Sequence, residues 1–401
     1  MNKISITTLG NLIDFQRGYD LPKSNFISGN VPVISSNGIL GFHNEHKVKG
    51  PGITIGRSGT VGLPHYIEVD FFPHNTALFV KDFKGNNPKY IFYLLKTLGL
   101  NDRGSGSGVP TMNRNHLHPL KVSAHLDLST QQQIASVLSS LDSKIELNNR
   151  INRELEQMAK LLYDYWFVQF DFPFDFAQGK PYKTSGGKMV WNEELKREIP
   201  EGWEVGEASD LFSFNPTLSL KKGSLSSYID MNALPTDGFM TKEVQLKEFN
   251  GGVKFQYGDL VVARITPCLE NGKTGLISLL NDGEVGFGST EFIVLRGRKM
   301  KLSSFAACLS RSEIFRKYAI SNMTGTSGRK RVDASALEIF SMTIPPKELL
   351  IKFEEMVSAF FEKTTLNTKE NQQLASLRDW LLPMLMNGQV TVGAGVTSKP
   401  R

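Results

Sequence analysis

The sequence predicts an α+β protein: two similar α/β heads joined by two long antiparallel coiled-coil helices, pseudo-two-fold symmetric. Three observations carry that prediction. Residues 147–160, LNNRINRELEQMAK, return about 220 positions later as residues 366–379, LNTKENQQLASLRD. Each copy sits inside a stretch of about 40 residues with helical apolar spacing. The segments ahead of them, residues 1–128 and 201–346, alternate short apolar runs with Gly, Pro and Asn turns, the pattern of strands and tight loops. A unit written twice at this period is a domain duplication, because solenoid repeats run about 20–50 residues.

The first head spans residues 1–128. Its GITIGRSGTVG (residues 52–62) and NTALFV (75–80) read as strands, and PKYIFYLLKTLG (88–99) as its one amphipathic helix. GSGVPTMNRNHLHPLKV (106–122) is a Gly/Ser loop, a polar-basic run, a Leu and an alternating strand. The spacer helix at 129–170 should start at a capping box, Ser129 with Gln132. Its seam reads Ile134, Leu138, Leu141, Ile145, Asn148, Asn152, Leu155, Met158, Leu162 and Tyr165. Residues 171–200 form a Gly/Pro-containing connector, read as a loop with one hairpin.

The second head, residues 201–346, repeats the first. GDLVVARITPCLENGKTG (258–275) answers the Gly-strand-Arg-turn pattern, STEFIV (289–294) answers NTALFV, and SSFAACLSRSEIFRKYAI (303–320) supplies one helix. TGTSGRKRVDASALEIFSMTIPP (324–346) repeats the loop, basic run and strand. The second spacer helix, 347–389, follows Pro345-Pro346. Its seam is Phe353, Met356, Phe360, Asn367, Asn371, Leu374, Leu377, Leu381 and Leu385, with Pro383 expected to kink or end it. Residues 390–401 read as a tail.

Forty helical residues extend about 60 Å, and a seam of that length has to be buried. Its own copy is the matching partner, and head-helix-head-helix connectivity favours an antiparallel pair with the heads at opposite ends. Asn148, Asn152, Asn367 and Asn371 then fall near the middle, where amides that meet would fix the register.

Composition narrows the function. With 401 residues, 40% apolar and 21% charged, the chain is globular and large enough for two domains. Two cysteines are too few for a disulfide framework or a thiolate metal site. The N-terminus lacks the apolar core of a signal peptide and no run approaches a membrane span, so a cytoplasmic protein is expected. A net charge of +6 and a pI near 9.0 favour a polyanionic partner only weakly.

Catalytic signatures fail one by one. The Asn/Asp/Ser-Pro-Pro-aromatic loop of an amino-methyltransferase is missing, since Pro345-Pro346 is followed by Lys347. PCLENGKT (267–274) opens on Pro267 where a phosphate-binding loop needs Gly, so it reads as a basic turn. HNEH (43–46) lacks a third ligand. No catalytic residue and no metal site is expected. What stands out is a doubled set of basic and amide residues on glycine-rich loops. In the first head these are Arg17, Tyr19, Asn37, Arg57, Ser58, Asn113, Arg114, Asn115 and His116. In the second they are Arg264, Asn271, Lys273, Arg329, Lys330 and Arg331. Arg suits guanine edges and phosphates and Asn suits adenine, so they are candidate DNA contacts, with Arg57/Arg264 and Arg114/Arg329 as equivalent pairs. After the first spacer helix, LLYDYWFVQFDFPFDF (161–176) packs eight aromatics, among them Tyr163, Tyr165, Trp166 and Phe167. They read either as a cap on a head or as a docking surface for a partner protein.

With these residues in view, the chain resembles the specificity subunit of type I restriction–modification enzymes, over nearly its whole length. The resemblance rests on LYDYWFVQFDFP leading into GKPYKTSGGKMVWNEELKREIPEGWEV, on PVISSNGILGF and IGRSGTVG, and on LSTQQQIASVLSSLDSKI. Only TVGAGVTSKPR, after Val390, departs from the pattern. The resemblance implies two target recognition domains, each reading half of a bipartite sequence in double-stranded DNA, with the helices setting the spacing between halves. It implies two methyltransferase subunits as partners, with restriction subunits as further ones. S-adenosylmethionine, ATP and Mg would then sit on those partners and none in this chain. A coiled-coil scaffold for proteins, and a fragment of a self-contained DNA methyltransferase, are the alternatives.

Overall fold

The computed structural model describes residues 4–103, 111–175, 179–326 and 328–392. The chain divides into two units, residues 1–145 with 372–401, and residues 146–371. The boundary therefore cuts both long helices beside the central asparagines, and each unit holds one head with part of each helix.

In the first unit, Ile4–Thr8 pairs antiparallel with Lys121–His125. A four-stranded sheet runs in the order Asp14–Arg17, Ala77–Asp82, Gly52–Gly56, Pro64–Ile67. The GITIG strand is buried throughout, as its unbroken run of small and apolar residues requires. A second sheet orders Gly38–His43, Val31–Ser35 and Phe72–Pro73, the last two parallel. The helix Pro88–Lys96 starts with Pro in its first turn after Asn87, whose side chain accepts from the Tyr90 N–H at 2.9 Å. It buries Tyr90, Ile91, Tyr93, Leu94 and Leu95 over the strands.

The second unit repeats this plan. Glu204–Glu207 pairs with Ser341–Ile344, and the four-stranded sheet runs Phe212–Phe214, Phe292–Gly297, Leu260–Ala263, Thr274–Leu276. The second sheet again contains a parallel pair, Leu225–Ile229 with Val285–Gly288, and gains an outer strand at Val253–Gln256. Two expectations need correction here. The stretch 303–320 forms two helices, Ser303–Arg311 and Glu313–Ser321, because Ser312 takes an extended conformation and caps the second through the Phe315 N–H. The connector holds two hairpins: Pro173–Asp175 with Lys180–Pro181, and Met189–Asn192 with Arg197–Pro200.

The first long helix runs Leu128–Tyr163 and continues as a π-helical turn, Asp164–Val168. Its cap is Asp127 and not the Ser129 box: the Asp127 carboxylate accepts from both the Thr130 N–H and its hydroxyl, each at 2.8 Å. Those two hydrogen bonds hold the carboxyl below its usual range. The second long helix runs Lys347–Met386 and passes through Pro383 without stopping. Proline removes one N–H but its fixed φ is helical, and burial of Leu382, Leu385 and Met386 secures the last turn.

Within each unit the two helices pair antiparallel. In the first unit Arg378 donates to Asp142 at 2.7 Å, and Tyr93 donates its hydroxyl to the same carboxylate at 2.6 Å. The seam itself differs from the expected one at four positions, where Met158, Tyr165, Met356 and Leu377 are exposed; Ala159, Val357, Phe361 and Thr364 are buried instead, with Arg378 turned partly inward. Near its head each helix packs on a broad core and not only on the other helix, so the wider 3.6-residue stripe wins over the narrow heptad seam.

Candidate nucleic-acid interface

The first head gathers six of the expected residues. Arg17, Tyr19, Arg57, Asn113, Arg114 and Asn115 line one open cleft. Gly18 makes the approach possible, since a Cβ there would lie 2.1 Å from the His74 carbonyl oxygen. Tyr19 stands on Phe72 and Phe79 with its face partly exposed, and its hydroxyl accepts from Gln16 at 3.2 Å. Arg57 donates to the Asn75 carbonyl at 3.3 Å and Arg114 to the Phe15 carbonyl at 3.4 Å. Arg17 pairs loosely with Asp20 at 3.4 Å, and Asn75 donates to that same carboxylate. Asn113 caps the short helix Arg114–Leu117 by accepting from the Asn115 N–H at 3.0 Å. Ser58 bridges to Thr111, which lines the cleft. Asn37, in the turn between Val31–Ser35 and Gly38–His43, and exposed His116 are not part of the cleft wall. The GSGVP part of the loop, residues 106–110, lies outside the described residues, as do Phe176, Ser327 and residues 393–401 of the tail.

Both heads hold an arginine at one backbone station. Arg57 N–H donates to the Thr76 carbonyl at 2.8 Å, and Met112 N–H donates to the Arg57 carbonyl at 2.8 Å. In the second head Arg264 N–H donates to Glu291 at 3.0 Å and Val332 N–H to Arg264 at 3.0 Å. Arg57 and Arg264 are therefore equivalent. The same register makes Thr111 the counterpart of Arg331, Asn113 of Asp333 and Arg114 of Ala334. The expected Arg114/Arg329 pairing is thus incorrect: the basic run of the second head is displaced toward its loop.

Side chains at the second station are tied down. Arg331 grips the Glu291 carboxylate through Nε at 2.9 Å and Nη2 at 2.7 Å, which holds that carboxyl below its usual range. Arg264 pairs with Asp333. Lys273 is turned to the Met231 carbonyl at 3.0 Å, while Asn271, Arg329 and Lys330 are exposed. The PCLENGKT segment is the turn its Pro267 implied, clamped from outside. Arg311 donates to the carbonyls of Pro235, Thr236, Gly272 and Thr274, and Arg316 to that of Glu270. Burial pushes the Arg311 guanidinium down to about 10. Sequence reasoning missed Glu291, Asp333, Arg311 and Arg316, because their roles depend on partners 37 or more residues distant.

The aromatic stretch is resolved as core. Tyr163, Trp166 and Phe167 are buried, with the Phe167 ring 4.9 Å from Phe305 and 5.0 Å from Phe353, both edge-on. They do not form a docking surface; Tyr165 alone of the four is exposed. The apolar rings fill the space between the head and the helix pair of the second unit. Between the helices, Asn148 donates to Asn371 at 2.9 Å and to Glu370 at 2.7 Å, and Asn367 donates to Asn152 at 2.8 Å. Among the described residues no group of three His, Cys, Asp or Glu could hold a metal ion, and no helix is long and apolar enough to cross a membrane.

Two duplicated α/β heads, each with an arginine at the same backbone station and each packed on part of a long helix pair, define a class of two-domain recognition subunit. The chain belongs to the family of type I restriction modification DNA specificity domains, whose pattern matches residues 1–157 and again 200–376. It is a specificity subunit and not a catalytic one. It is 28% identical over 323 residues to the type I restriction enzyme MjaIX specificity subunit of Methanocaldococcus jannaschii, covering 76% of this chain and 69% of that one. The HindI specificity subunit of Haemophilus influenzae is 25% identical over 316 residues, covering 66% and 68%. The crystal structure of a type I restriction–modification S subunit from M. genitalium superposes with a TM-score of 0.65 over 96% of both chains at 16% identity, a likeness of fold.

Proposed function

We propose that each head reads one half of a bipartite sequence in double-stranded DNA, and that the helix pair sets the number of base pairs between the halves. The observation that carries this reading is the convergence of Arg17, Tyr19, Arg57, Asn113, Arg114 and Asn115 on one open cleft. Guanidinium forks and amides are the groups that read guanine and adenine edges, and an exposed ring packs against sugar or base. The second head offers Arg264 and Arg331 at the equivalent station. With a net charge of only +6, the isolated chain should bind DNA weakly, and partner subunits should strengthen it.

Methylation and cleavage then belong to partners, with two methyltransferase subunits holding S-adenosylmethionine and restriction subunits using ATP and Mg. Exposed apolar side chains on the long helices, Leu161 and Leu366 among them, support helix faces as their docking sites in place of the buried aromatics. Such a complex works in the cytoplasm, where its DNA is. Expression with the cognate methyltransferase subunit in a modification-free host, followed by base-resolution mapping, should return one bipartite motif. Gel shifts showing protein partners but no duplex binding would favour a scaffold instead. Binding of S-adenosylmethionine by the chain alone would favour a methyltransferase fragment.

A further inference from the structure

The two heads share a backbone station but fill it differently. Position by position, Arg57, Thr76, Thr111 and Asn113 in the first head correspond to Arg264, Glu291, Arg331 and Asp333 in the second. The first head thus has one arginine and no carboxylate there, whereas the second has two arginines and two carboxylates. Asn113 caps its own short helix through its side-chain oxygen. Asp333 occupies the same capping position, yet its side chain makes no cap bond and turns to Arg264 instead. Glu291 takes a two-pronged grip on Arg331.

Simple attraction to phosphate does not account for this. Two carboxylates at a DNA-facing loop cancel the charge of the two arginines and weaken any charge-driven affinity. Fold stability does not account for it either. The Glu291–Arg331 and Arg264–Asp333 pairs remain partly open to solvent, and ion pairs of that kind contribute little to folding. What a carboxylate does for an arginine in such a place is fix the plane and direction of its fork, which is what reading a base edge needs.

We propose that Glu291 and Asp333 are positioning residues of the second head, holding Arg331 and Arg264 in the orientation that reads the base pairs of the second half-site. This rests on the reading of the heads as DNA readers. By the same chemistry, the first head reads its half-site with a more mobile Arg57.

The test uses the full chain co-expressed with its methyltransferase subunit, with modification mapped at every site. Glu291→Gln keeps the shape and removes the charge. Discrimination at one position of one half-site should fall by about tenfold or more, with the other half-site, the spacer length and the melting temperature unchanged. Asp333→Asn, which copies the first head, should relax a neighbouring position of the same half-site. Arg331→Lys should match Glu291→Gln, because lysine lacks the fork. An unchanged motif, or an equal loss at all positions of both halves, overturns the proposal. If the unaltered complex modifies no bipartite motif at all, it is the underlying reading of the heads that fails.

Discussion

Asn148 donates its side-chain amide to Asn371 at 2.9 Å, and one turn along Asn367 donates back to Asn152 at 2.8 Å. Asn371 continues the chain of amides by donating to Asn149 at 2.9 Å. Asn148 and Asn367 are almost fully buried, so these are polar groups committed to one another across a helix pair.

Changing one member should be worse than changing two. Asn367→Leu strips the Asn152 carbonyl of its donor and should cost about 1–3 kcal/mol. Replacing Asn152 and Asn367 together by Leu should recover most of that stability while loosening the register. Chemical denaturation of the singles and the double measures the coupling, and additive losses would mean the amides do not act as a pair.

A matched seven-residue insertion into both long helices adds about 10 Å of helix. At about 3.4 Å per base pair this should lengthen the unspecified spacer by about three base pairs and leave both half-sites alone. Mapping the modified motif decides the matter; an unchanged spacer would end the ruler reading.

Arg57→Ala should relax one position of the first half-site by about 1–3 kcal/mol of discrimination if the guanidinium reads a base. If it instead touches phosphate, binding weakens evenly across sequences and the salt dependence falls by about one ion. Competition binding over single-base variants at two salt concentrations separates these outcomes, and no change in either excludes Arg57 from the interface.

Phe167→Ala removes a ring packed on Phe305 and Phe353 and should cost about 3–5 kcal/mol. Tyr165→Ala, on the same turn but exposed, should cost under about 1 kcal/mol. Similar melting temperatures for the two variants would contradict the burial of this stretch.

Glu354 is buried and accepts the Phe305 and Ser304 N–H groups at 2.7 and 3.1 Å, capping the helix Ser303–Arg311 from another part of the chain. Burial dominates and pushes its carboxyl above the ordinary 4.5, outweighing those hydrogen bonds. A raised value in the folded state means stability that is complete below about 4.5 and declines as pH climbs through the folded value. Relative to Glu354→Gln, the native chain should lose melting temperature over that interval and level off above it. Parallel curves from acid to neutral pH would show that Glu354 does not couple protonation to folding.

Much of the architecture was readable because its determinants are local. The duplicated LNNRINRELEQMAK and LNTKENQQLASLRD stretches lie in the two long helices, and GITIG and LVVA in the two four-stranded sheets. Details failed where a second element intervened. Ser129 lost the cap to Asp127, two residues away. Met158 and Met356 fitted a heptad but face outward, because the head widens the buried stripe. The Arg114/Arg329 pairing failed because likeness of composition is not likeness of register.

By itself the sequence determined the duplication, the head-and-helix order, the central asparagines and the arginine-bearing loops, all of which are patterns of spacing along the chain. Tertiary structure alone decided which arginines meet a carboxylate and which stay open, and whether the aromatics are core or surface. It also brought Arg17, Arg57 and Arg114 to one cleft. Those outcomes depend on pairings between residues tens of positions apart, and the energy of such a pairing belongs to the folded geometry, not to either residue in its local stretch.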